Sequence, residues 1–187
     1  IAVAGREAPG SDALVGFFVS AMPLRVGDQI VLFYQDWHGA LWAVPQTRSG
    51  ALAGAPVAVA EGVNTFGVAA LEDRAAAVTC RSDGSVEVLT LAPGADAVDR
   101  SAELENADCG FDARPGIDGG EAGLIVSWDN GERGRAVLFD TRGREKAWVA
   151  MDVGGLSPRA LDDGEHWIVA DTSGAVRRLS ADGTLLE

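Results

Sequence analysis

The chain has 187 residues, enough for one domain or a compact repeat array with a substantial core. Its net charge of −13, with Lys146 as the single lysine against fourteen arginines, repels phosphate backbones and argues against nucleic-acid binding. Hydrophobic residues make up 47% but fall in short runs broken by glycine, so no membrane span is expected.

Reading along the chain, helical periodicity is almost absent and short β-type runs alternate with turn signals. The opening segment Ile1–Arg6 reads as a lone strand. A first unit follows with strands predicted over Gly16–Met22, Gln29–Tyr34, Ala40–Val44 and Pro56–Ala60. The second unit repeats the pattern with Thr65–Leu71, Arg74–Cys80, Ser85–Leu91 and Arg100–Leu104. The third offers Gly110–Arg114, Gly123–Trp128, Arg135–Asp140 and Lys146–Met151. The fourth has Leu156–Leu161, Glu165–Ala170 and Ala175–Leu179, with only Thr184–Glu187 in place of an outer strand.

Four hairpin tips punctuate these units: His38-Gly39, Asp83-Gly84, Asn130-Gly131 and Ser173-Gly174, in steps of 45, 47 and 43 residues. A period near 45 lies in the range of propeller blades. The fold class expected is all-β: a four-bladed β-propeller, with residues 1–7 as a strand closing the last blade. The blades are expected over 14–60, 63–105, 108–152 and 154–187, in a single domain. Closure would remove the unpaired edges and apolar faces of an open array. A fragment of a larger propeller, or a half-ring that dimerises, is the rival architecture.

The stretch Asp163–Glu187, "DGEHWIVADTSGAVRRLSADGTLLE", resembles a blade of the NHL or WD-repeat class, and Gly134–Ala150 is similar to quinoprotein-type repeats. Each resemblance covers about one blade and implies an architecture without a particular activity. Separately, Val3–Val26, with Gly-Phe-Phe-Val ahead of Pro-Leu-Arg, resembles a motif of nonribosomal peptide synthetase condensation domains. That family's chemistry needs a paired-histidine motif. The two histidines here, His38 and His166, are far apart in sequence, so no catalysis carries over.

Cys80 and Cys109 are the only cysteines. They form no metal-ligand spacing, and one bridge between adjacent units is open to them. No cofactor or metal site is implied, and no nucleophile, zinc or dinucleotide motif is present. Lys-poor, Ala- and Arg-rich usage is associated with GC-rich bacterial genomes. The compartment is not determined, since Ile1–Val3 is too short to be a signal peptide.

Chemistry must therefore be sought in charged residues on predicted innermost strands: Asp112 and Arg114 in the third unit and Arg159 in the fourth, with Ser20 in a comparable place in the first. One reading is an Asp–Arg bridge between blades; the other is a polar pocket at the tunnel mouth. The second concentration is Tyr34, Asp36, Trp37, His38 and Trp42 around one hairpin, where aromatics could stack on a ligand. Acidic residues Glu72, Asp73, Asp118, Asp162 and Asp163 read as a solvated rim in loops after first strands. The function expected is a noncatalytic binding module presenting a tunnel mouth or loop face to a protein or small-molecule ligand. The alternative is an enzyme, a lyase, hydrolase or cyclase, with its polar site at that mouth.

Overall fold

A computed structural model describes residues 20–104, 109, 115–129, 134–151, 157–160, 165–170 and 175–186. Among them are sixteen strands and no helix. The first sheet holds β1 (Ser20–Val26), β2 (Gln29–Gln35), β3 (Leu41–Gln46) and β4 (Val57–Ala60). The second holds β5 (Val63–Leu71), β6 (Arg74–Arg81), β7 (Val86–Leu91) and β8 (Arg100–Glu103). The third is built from β9 (Gly116–Gly120), β10 (Gly123–Asp129), β11 (Gly134–Phe139) and β12 (Glu145–Met151), and the fourth from β13 (Ser157–Ala160), β14 (His166–Ala170), β15 (Val176–Ser180) and β16 (Leu185–Leu186). Every sheet is an antiparallel meander in chain order.

The sheets stack face to face in series, and the alternation of strand side chains explains how. In β6, Ala75 and Ala77 join a cluster with Val31, Phe33 and Leu41 of the first sheet. The intervening Ala76, Val78 and Cys80 join a second cluster with Leu124, Val126 and Phe139 of the third. Both faces of the second sheet are thus buried, which is why its middle strands read as nearly continuous apolar runs. In the third sheet Ile125, Ala136 and Leu138 turn the other way, onto Trp167, Val169 and Leu179 of the fourth. Each seam between consecutive sheets is a separate core.

Innermost strands meet in the same order, β1 on β5, β5 on β9 and β9 on β13. The approach of β5 to β9 is backbone-close. A Cβ at Gly67 would lie 2.9 Å from the Pro115 carbonyl oxygen, and one at Gly119 would overlap the Ala70 carbonyl. Only glycine fits these positions.

That packing corrects the sequence reading of the third unit. The strand that pairs with β10 is Gly116–Gly120, and Asp118 lies within it, not in a loop; the expected Gly110–Arg114 lies outside the described residues. β1 also runs further along the chain than expected, from Ser20 to Val26. The fourth sheet finds its outer strand in Leu185–Leu186. Residues 1–7, expected to supply that strand, lie outside the described residues.

Candidate functional site

Five hairpins among the described residues share one backbone. In each, the first residue donates its N–H to the carbonyl four residues on, and a glycine in fourth position donates back to the first residue's carbonyl. The first residues are Asp36, Thr47, Arg81, Asp140 and Ser180; the bonds span 2.8–3.0 Å. The glycines Gly39, Gly50, Gly84, Gly143 and Gly183 have φ between 69° and 89°, a region costly for any residue with a Cβ.

Four of the five open with a side chain that caps the turn. Asp36 Oδ1 accepts from the His38 and Ala40 amides at 2.9 Å, and its Oδ2 accepts from Trp42 Nε1 at 3.0 Å. Asp140 Oδ1 accepts from the Arg142 and Arg144 amides. Thr47 and Ser180 use their hydroxyls on Ala51 and Thr184. The fifth opens with Arg81, so Asp83 takes over the capping: its Oδ1 accepts from the Ser85 amide at 3.0 Å and hydroxyl at 2.7 Å. Those two bonds, the amide first, hold the Asp83 carboxyl below its usual range.

The β2–β3 and β6–β7 hairpins lie at the same end of their sheets as the connectors into the next sheet. Gly39 O accepts from the Val63 amide at 2.8 Å, and Gly84 O from the Cys109 amide at 2.9 Å. The residue before each turn then fastens the same connector. Gln35 Nε2 donates to the Val63 carbonyl, whereas Cys80 is disulfide-bonded to Cys109, with Cα atoms 5.8 Å apart. One seam is held by a hydrogen-bonded clasp and the next by a covalent one.

Beside the covalent clasp opens a cavity of about 240 Å³, lined by Asn64, Arg81, Ser82, Asp83, Gly84 and Cys109. Arg81 pairs with the largely buried Glu87. Its Nε is buried and has no hydrogen-bond partner among the described residues. The same end carries Trp37, 63% exposed, with its ring 3.6 Å, centroid to centroid, from that of His38. Because Asp36 fixes the turn from below, this aromatic tip is presented on a rigid base. The cavity offers donors and acceptors to a small polar ligand or a partner's side chain, and the tip offers a stacking surface.

Of the residues singled out from sequence, Trp37 and His38 form this tip. Ser20 opens β1 in register with Gln35, at the same end of the first sheet. Asp112 and Arg114 lie outside the described residues, and β9 does not include them. Arg159 sits in β13, in register with Ile168. Arg81 was missed. Its signal is a break in pattern: an arginine where the other hairpins carry Asp, Ser or Thr. Among the described residues, no group of three or more His, Cys, Asp or Glu is placed to hold a metal.

No protein-family model and no curated protein matches the sequence. Solved structures do. The Dos1 propeller aligns with TM-score 0.64 and 9% identity, over 92% of this chain and 47% of that one. The fold is that of a β-propeller. The SapL1 lectin in complex with α-methyl fucoside aligns with TM-score 0.56 and 9% identity, over 89% of this chain and 60% of the lectin. BBS1N in complex with ARL6DN aligns with TM-score 0.54 and 13% identity, over 91% of this chain and 53% of that one. The chain thus spans roughly half the length of these propellers, and at such identities the likeness concerns fold alone.

Proposed function

We propose that this propeller chain is a noncatalytic binding module, presenting the hairpin end of its first two sheets to a protein or small-molecule ligand. The observation that carries the reading is Trp37, a large aromatic held exposed on a hairpin that Asp36 braces with three hydrogen bonds. Exposed aromatics on rigid supports bind with little loss of conformational entropy. The polar cavity at Arg81–Gly84 adds directional contacts on the same end. Among similar folds, one is in complex with a sugar glycoside and one with a protein. In this reading the four sheets are blades of one ring, closed by residues 1–7 against the fourth.

The test is a ligand-observed NMR screen against glycans and small metabolites, followed by variants. Trp37→Ala or Arg81→Ala should weaken any bound ligand roughly tenfold or more. Trp37→Ala should leave the thermal midpoint nearly unchanged, because an exposed side chain contributes little to stability. Asp36→Ala serves as contrast, losing about 3 kcal/mol of stability with its three bonds. A ligand whose affinity neither Trp37→Ala nor Arg81→Ala alters would sink the reading.

A further inference from the structure

The first and second seams are fastened at equivalent positions. Gln35 and Cys80 each directly precede a hairpin; Val63 and Cys109 each donate a backbone N–H to that hairpin's glycine. A side-chain hydrogen bond closes the first clasp, and a disulfide the second. Both cysteines are buried within the core between the second and third sheets, and Cys109 also lines the cavity beside Arg81. Without its sulfur–sulfur bond, Cys109 has no counterpart of the Gln35 bond, and its hydrogen bond to Gly84 is left to open more often.

We infer that the Cys80–Cys109 disulfide is a redox-controlled clasp that sets the geometry of the ligand cavity at the second seam. The ligand part rests on the binding function proposed above; the clasp itself does not. Closure removes two protons and two electrons from the thiols and passes them to a disulfide-bearing oxidant, which leaves as two thiols. The closed form therefore accumulates where such oxidants outcompete reducing thiols, in an oxidising compartment. Reduction reverses the exchange and opens the second clasp only, since the first clasp contains no cysteine.

Residue-resolved amide exchange, with and without dithiothreitol, tests this without any ligand. Reduction should speed exchange at Cys109 and Gly84 roughly tenfold or more while Val63 and Gly39 keep their rates. The thermal midpoint should fall by roughly 10 °C. Unchanged exchange at the second seam, or an equal rise at both seams, would overturn the inference. Since a serine pair could simply misfold, the decisive variant copies the first clasp: C80Q together with C109V. It should protect the second seam and lose all response to reductant. If it protects no better than reduced wild type, the two clasps are not equivalent and the inference fails. A failed ligand screen would leave these exchange rates untouched, so the two readings fall separately.

Discussion

Tyr34 shows how much one buried side chain reports. It is the only tyrosine in the chain, fully buried, with its ring stacked on Trp42 at 6.5 Å and 13°. Burial, and then the nearby Asp36 charge, push its pKa up to about 12. A pKa raised on folding means stability intact below pH 10, where both states are protonated. It declines as pH rises toward 12, because the unfolded chain ionises first. The loss should be about 2 kcal/mol across that window. A spectrophotometric titration reads this one phenol cleanly: phenolate absorbance should stay flat past pH 10.5 or so and then rise together with unfolding. A midpoint near 10 in the still-folded protein would contradict the burial. Asp182 is the opposite case. The Ser180 hydroxyl and the Thr184 amide lower its pKa to about 2, on a fully exposed tip where the effect on folding is slight.

At the scale of elements, the seam between β5 and β9 is packed backbone against backbone. Gly119→Ala would drive a methyl group into the Ala70 carbonyl and should cost about 3 kcal/mol, read as a lower urea midpoint with an unchanged slope. Gly94→Ala has open space around it and should cost about 1 kcal/mol, from its positive φ alone. The same seam marks where sequence reading stops. The strands of the first two sheets were legible to within a few residues, because β-branched and aromatic runs end at glycines that only a turn requires. β9 was not, since Gly116, Gly119 and Gly120 together resemble a turn, whereas Gly119 is required by the neighbouring Ala70 backbone. The aromatic tip at Trp37 could be read directly as large apolar side chains beside a turn glycine. Arg81 could not, because a charge at a strand end looks solvated until the cavity beside it is seen. The pairing of Cys80 with Cys109 likewise depends on a connector that only the folded hairpin positions.

For the whole molecule, three apolar seams in series account for the burial of the described sheets, and the proposed closure by residues 1–7 adds the one test that concerns the ring itself. Scattering and solution mass of the 187-residue chain should give a compact monomer, and removal of residues 1–7 should produce self-association through exposed sheet surface. A truncated chain that stays monomeric with the same urea midpoint would refute closure, and a dimeric full chain would favour a ring of more blades. The repeat was legible at this scale as four successive four-stranded units, though the expected tips Asn130-Gly131 and Ser173-Gly174 lie outside the described residues; closure depends on contacts between ends. The five matching hairpins carry a further implication. Two tip residues, such as Trp37-His38 or Thr141-Arg142, ride on a backbone dictated by the flanking cap and glycine. Tips of this kind are exchangeable parts. Selection, or an engineer, could rewrite what the surface recognises two letters at a time and leave the frame of the protein as it stands.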